Sequence, residues 1–554
     1  MRGIVRLMGI LGVVAAMGAV GRSADAGPPA PAIPAGAMVY ADTPDLSSLL
    51  AQWEASAAKK TWESGAAREL FIRSRVFLKW EDRLGMLSAL AGRELDLDFL
   101  RQLDARRAVL AVYDPGRREG LLAVETGPAG RAAADAVAVA LEARDADGTA
   151  YRGRYLEDGG VFLGLWRDGA TVYLATSDRL LREVIRLRRE GGGWSFPAAA
   201  AARPHALRLD MDLAAIRKTS YYHRYWIHGE DGEWSGCTRA LLVIARAGAG
   251  WTEERLFLTA KDGPAAFPPP TAPPDPGVTA PFWTTRRTAA ADDIRQLILE
   301  GVLRLPAERQ AELKPHTLYR GAAYTVAAAE SSDFERTVDV PSSDVSAETL
   351  WAGAAGAGAE LDVYLAAAGP WRMGWTWDAP QAGNTRTWST LGGGLALIGE
   401  KSAGSAGRFR EILTRTLAAA YLTNPAAVAW AEAEPGVFRC REPVDVWLAE
   451  PEPGTLLIAT SAAMLAEARR LAATAAGADA AGGLNLAVAG DKYRRLLADM
   501  GQASAEQPSG EAPRFMSRVV PSLLGVLQAV DRIRFVQRRM PAGIYERVEY
   551  LAAP

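Results

Sequence analysis

The densest group of side chains able to bind or react is Tyr221-Tyr222-His223-Arg224-Tyr225-Trp226-Ile227-His228, followed by Glu230, Asp231 and Glu233. Two of the four histidines of the chain and three acids fall within residues 223–233, enough donors for a divalent metal or for acid–base work on a hydrolysable bond. A zinc centre needs three or four such ligands converging with their outer partners satisfied, and this spacing follows no zinc pattern. The rings between the histidines suit an aromatic excursion packed over a sheet. Tyr222, His223, Trp226 and His228 are therefore read as candidate ligand contacts, with a one-lobed hydrolase built on His223, His228 and the nearby acids as the alternative. No catalytic residue, metal ligand or cofactor is assigned.

A second group is PWRMGWTWDAPQAGNTRTW, which carries Trp371, Trp375, Trp377 and Trp388. Trp375 and Trp377 share one face of a strand by the period of two, and with Trp388 they can form a flat platform for a sugar or another apolar ligand. The alternative is that they fill the junction of sheet and helices. Asp210 and Asp212 form a DxD able to hold a divalent cation through two carboxylates, although a solvated strand face explains them as well. Arg152 with Arg154, and Arg439 with Arg441, alternate in the same way. GGGLALIGEKS, Gly392 to Ser402, has glycines and a lysine, but Glu400 stands where a phosphate-binding loop needs its lysine. Its apolar Leu395–Ile398 run reads as a buried strand. Neither GxSxG nor SxxK surrounds a plausible nucleophile.

The elements that must position these residues occur twice, about 280 residues apart. VYLATSDRLLREVIRL, ending at Leu187, returns as LLIATSAAMLAEARRL, ending at Leu471; Ala129-Gly130-Arg131 returns as Ala406-Gly407-Arg408, and Tyr151–Arg154 as Phe438–Arg441. In each copy a strand leads into a helix capped by Thr176 or Ser177, and by their counterparts Thr460 or Ser461. Leu180, Leu181, Val184, Ile185 and Leu187 form the apolar stripe of the first such helix. ALLVIAR with ERLFLTA, and IRFVQRR with IYERVEYLAA, read as closing hairpins. Strand pairs interrupted by single helices imply an α+β fold of two similar lobes, each an antiparallel sheet with helices on one face. The helical region from Glu63 to Leu103 includes a basic amphipathic stretch, Phe71 to Leu90, that can rest on an anionic surface but suits covering its own sheet.

Residues 1–26 have the form of a cleavable secretory signal: Arg2 and Arg6, an apolar run from Leu7 to Val20, then Ala24-Asp25-Ala26. That run of about 14 residues falls short of the roughly 20 needed to span a bilayer, and no later segment is long and apolar enough. The expected organisation is an extended leader over 27–36, a first lobe over 37–262, a proline-rich linker over 263–278 and a second lobe over 279–554. Half of the 554 residues are hydrophobic and the net charge is -2, which argues against bulk nucleic-acid binding. Cys237 and Cys440, at positions that do not correspond between the copies, leave open either one bridge or two isolated thiols.

The signal, the opening VYADTPDLSSLL of the type small-acid-x-Pro-x-Leu, and tandem lobes with LLIATS-like turns resemble the domain of unknown function 3352 family of exported bacterial proteins. That resemblance implies no known activity and transfers no functional residues; the tryptophan-rich segment near 371–388 lies outside it. The sequence thus points to a non-catalytic binding or assembly module, periplasmic or secreted, whose partner is an envelope protein or a small ligand.

Overall fold

The computed structural model describes most of residues 31–303, 358–377, 393–485 and 531–551, with breaks in that coverage chiefly at 56–74, 220–235 and 260–281. In chain order the strands are β1 (Val39–Thr43), β2 (Ala105–Asp114), β3 (Glu119–Thr126), β4 (Ala143–Ala146), β5 (Thr149–Tyr155), β6 (Phe162–Asp168), β7 (Thr171–Ala175), β8 (Leu207–Asp212), β9 (Arg239–Ala247) and β10 (Gly250–Leu258). They continue as β11 (Phe282–Thr288), β12 (Trp371–Trp377), β13 (Gly393–Gly399), β14 (Trp430–Glu434), β15 (Val437–Cys440), β16 (Val446–Glu452), β17 (Thr455–Ala459), β18 (Ala480–Asn485), β19 (Arg532–Met540) and β20 (Gly543–Leu551). The helices used below are α1 (Leu46–Ala55), α2 (Arg75–Ala91), α3 (Leu97–Gln102), α4 (Pro128–Ala140), α5 (Asp178–Glu190), α6 (Leu213–Arg217), α7 (Ala406–Ala420) and α8 (Ala462–Thr474).

Two compact units result, one of Met1–Pro273 with Gly490–Pro554 and one of Pro274–Ala489. In the first unit the strands run in the order β4-β5-β6-β7-β3-β2-β1-β8-β9-β10-β20-β19, every neighbouring pair antiparallel. In the second they run β14-β15-β16-β17-β13-β12-β11-β18, again antiparallel throughout. Mixed helix and antiparallel sheet is the α+β composition expected. No helix among the described residues is long and apolar enough to cross a membrane.

Helices cover both faces of each sheet, where one covered face was expected. Along β7, Val172 and Leu174 join the core formed with α1, α2, α3 and α4, whereas Tyr173 and Ala175 join the core formed with α5. Leu456 and Ile458 of β17 likewise pack on the side of α7, and Leu457 and Ala459 on the side of α8. The cause is written in the strands: VYLA and LLIA are unbroken apolar runs, which need cover on two sides, rather than the alternating pattern of a half-solvated strand. The leader is also covered, since Ile33 is 1 % exposed and the Pro34 carbonyl accepts from Tyr113 Oη at 2.7 Å and Tyr40 Oη at 3.1 Å.

Local signals account for the helix ends. Asp45 Oδ1 accepts from the Ser48 backbone N–H at 2.8 Å and starts α1, whose Leu46, Leu49, Leu50 and Trp53 are buried. The expected long helical region up to Leu103 breaks between Gly92, at φ +66°, and Asp96, whose carboxylate caps α3 through the Phe99 N–H at 2.9 Å.

The hairpin β19–β20, placed by the sequence pattern at the end of the second lobe, belongs instead to the first unit. β20 pairs with β10 from Trp251↔Tyr550 to Leu258↔Gly543, and Tyr545 is buried beside Leu256, Leu258 and Phe267. Periodicity identifies such a hairpin but not the edge it joins. A Cβ at Gly250 would lie 1.8 Å from the Tyr550 carbonyl oxygen, and one at Gly543 would lie 1.8 Å from that of Phe257. Both ends of this seam therefore require glycine. Gly250→Ala is expected to destabilise the first unit by about 1–3 kcal/mol, the usual cost of overpacking. Hydrogen exchange on the full chain should quicken in β10 and β20 and stay unchanged in β17.

Candidate functional site

Tyr222, His223, Trp226, His228 and Trp388 lie outside the described residues. Trp375 and Trp377 lie on β12, where Trp375 pairs with Leu395 and Trp377 with Gly393 of β13, in the interior of the second sheet. Trp371, in the same period-two series, is 1 % exposed and packs 6.4 Å from Phe409 between ring centroids, so this end of the series fills core. The glycine-rich run that superficially resembles a phosphate loop is β13 itself, with Leu395 and Leu397 in one core and Ala396 and Ile398 in the other.

The DxD carboxylates are committed to structural partners. Asp210 receives a two-point contact from Arg239, at 2.8 and 2.6 Å, and the Trp194 indole N–H at 3.3 Å, while Asp212 caps α6 through the Ala215 N–H at 2.8 Å. Among the described residues no three His, Cys, Asp or Glu side chains gather as metal ligands would. Arg439 is bound in the same two-point manner by Asp445, at 2.8 Å on both oxygens. Cys237 and Cys440 are buried free thiols, and burial pushes both above the ordinary thiol range.

The acid of the opening ADTP motif is Asp42, 1 % exposed, with Arg208 Nε at 2.8 Å, Arg107 Nε at 3.0 Å and His205 Nε2 at 3.2 Å. Arg208 faces it across the β1–β8 pair and stacks over the Phe196 ring at 4.2 Å. Burial alone would raise the Asp42 carboxyl, but the hydrogen bond with His205 and the charges of Arg107 and Arg208 outweigh it and hold the group at about 2. Every charge in this cluster has a partner, so its role is to fasten β1, β2 and β8.

A cavity lies on the other side of the sheet. About 180 Å³ in volume and partly open to solvent, it is bounded by Trp80, Leu84 and Leu87 of α2 and by Phe99 and Leu100 of α3. Its floor is formed by Leu110, Val112 and Leu122 of β2 and β3, with Leu163 and Leu174 of β6 and β7. Aliphatic and aromatic residues dominate the lining; Asp96, Arg118, Glu119 and Thr176 are its polar members. An apolar concavity with a few polar groups at its rim is the usual form of a small-molecule site. Neither helix pattern announces it, because each reads as an ordinary amphipathic face; the gap arises from the break between them.

Thr176 explains part of the repeated ATS turn. Its hydroxyl accepts from Gly120 N–H at 2.8 Å and donates to the Arg118 carbonyl at 2.8 Å, tying the end of β7 to the β2–β3 turn. Thr460 holds Leu395 of β13 similarly: its hydroxyl accepts from the Leu395 N–H at 3.0 Å, and its own N–H donates to the Leu395 carbonyl at 3.0 Å. Capping is split differently from expectation, since Ser461 Oγ accepts from Met464 N–H at 3.2 Å whereas Ser177 makes no side-chain cap bond.

No family model and no curated protein matches the chain. Among solved structures, one titled "Structure of crystal form I of TP0453" aligns with 42 % of this chain and 80 % of that chain, at 10 % identity and a TM-score of 0.22. A likeness at that level carries no argument about fold or function.

Two outcomes follow from these contacts. The depressed Asp42 carboxyl stabilises the fold above the ordinary carboxylate range, and that contribution of about 2 kcal/mol is lost as pH falls through about 2. The stability gap between the unmodified protein and Asp42→Asn, from urea melts, should therefore narrow between about pH 5 and pH 2. Thr176→Val is expected to cost about 1–3 kcal/mol by leaving the Gly120 N–H unpaired, against about 0.5 kcal/mol or less for Ser177→Ala.

Proposed function

We propose that the protein is a non-catalytic binding module of the cell envelope, which takes an apolar small molecule into the cavity between α2, α3 and the first sheet. The cavity is the observation that carries this reading. Its walls are aliphatic and aromatic side chains beside an opening to solvent, so an apolar molecule seated there removes apolar surface from water at about 25 cal/mol per Å².

The reading includes export through the signal-like segment, placing the protein in the periplasm or outside the cell, and kinship with the domain of unknown function 3352 family. It also takes the two units as products of an internal duplication. The matching strand orders and the threonine held at the same turn in both units support that part.

The test is binding of 1-aminoanthracene, a neutral apolar fluorophore, to delipidated full-length mature protein. Saturable binding is expected, with a loss of at least about tenfold in Leu87→Trp, whose larger ring occupies the cavity, and a smaller loss in Leu84→Phe. Thermal melts identify any variant that fails to fold. Unchanged affinity in both folded variants, or no saturable binding by the unmodified protein, rejects the cavity as the site.

A further inference from the structure

The polar residues at the cavity mouth differ in what they have left to offer. Asp96 is occupied in capping α3 at 2.9 Å, and Glu119 is paired with Arg179 at 3.0 Å. The Thr176 hydroxyl is engaged with Gly120 and with the Arg118 carbonyl. The Arg118 guanidinium has no carboxylate partner among the described residues, although the residue is half-buried against an apolar wall. Its backbone closes the β2–β3 turn at φ +57°, and its carbonyl accepts from the Thr176 hydroxyl. An unanswered charge at the edge of an apolar cavity is a position able to take a ligand's opposite charge.

We propose, on the reading that this cavity is the ligand site, that its ligand is a single-chain fatty carboxylate whose head group is held by Arg118. The chemistry follows from the wall and the rim together. The floor and the helical sides offer contacts for an alkyl chain, and one partly open cleft takes one such chain. At the mouth a single guanidinium awaits a single negative charge, and its planar fork matches the two oxygens of a carboxylate. A phosphate monoester, close to a dianion, would leave one charge unanswered. The arginines of the neighbouring open groove do not supply it, because Arg179, Arg182, Arg186 and Arg117 are paired with Glu119, Asp178, Glu183 and Asp114, and Arg83 donates to the Gly160 carbonyl.

The experiment titrates delipidated full-length mature protein with dodecanoate, dodecanol and dodecyl phosphate, in the unmodified protein, Arg118→Gln and Arg117→Gln. Arg117 lies on the same turn with its side chain 87 % exposed and serves as the control for general charge. The unmodified protein should bind dodecanoate at least about tenfold more tightly than dodecanol. Arg118→Gln should remove that preference while leaving dodecanol unchanged, and Arg117→Gln should alter neither. Equal affinity for dodecanoate and dodecanol, or an equal loss of both in Arg118→Gln, overturns the carboxylate assignment and leaves the apolar cavity standing. Tighter binding of dodecyl phosphate than of dodecanoate overturns it in favour of a phosphate head. Failure of all three amphiphiles to bind rejects the cavity reading itself, and this assignment with it.

Discussion

Central strands that are apolar on both faces set the terms for the rest of each unit. β3 and β7 place side chains into two separate cores, as do β13 and β17, so water has to be kept off two surfaces at once. The amphipathic α5 can seal only one of them, with Leu180, Leu181, Val184 and Ile185. Each such side chain contributes about 1.5–3 kcal/mol when fully withdrawn from water, which is why a second set of helices is recruited to the opposite face. That face carries α1, α2, α3 and α4, all of which give side chains to its core. Where α2 and α3 part at Gly92–Asp96, cover is incomplete and the cavity opens.

Charge then secures the alignment that hydrophobicity alone leaves loose. Asp42 and Arg208 face each other across β1 and β8, Glu254 and Arg547 across β10 and β20, and Arg534 and Glu549 across β19 and β20. A slip of one residue in any of these ladders would turn a buried acid toward the apolar side of the sheet and leave its arginine unpaired. The same residues that look like binding chemistry in a linear reading, such as Asp210, are consumed in this role.

What could be read from the sequence was whatever repeats along the chain. The stripe of α5 and the two hairpins are visible because their periods are local. Two-sided cover was also present in the unbroken runs VYLA and LLIA, though hairpin-like spacing around them suggests a half-solvated sheet. The partner of β20 was not legible, since an edge strand carries no record of which edge it meets. Nor was the cavity, which depends on how two helices fail to close, or Arg118, since a basic residue in a turn carries no sign of which acids lie near it in space. The histidine segment over 221–233 lies outside the described residues, and of the aromatic series Trp371 is buried at the start of β12.

The seam between β10 and β20 has a consequence in time. A chain is made from its amino terminus at about 5–20 residues per second, so the stretch from Leu258 to Gly543 takes roughly 15–60 s to synthesise. Throughout that interval β10 has its β9 neighbour but lacks the strand that will occupy its other edge. An open edge of this kind invites pairing with foreign chains. The Glu253-Glu254-Arg255 run at its middle is suited to discouraging such contacts until the proper partner arrives. The nascent first unit thus has to wait, guarded by its own charges, for a strand encoded on the far side of another unit.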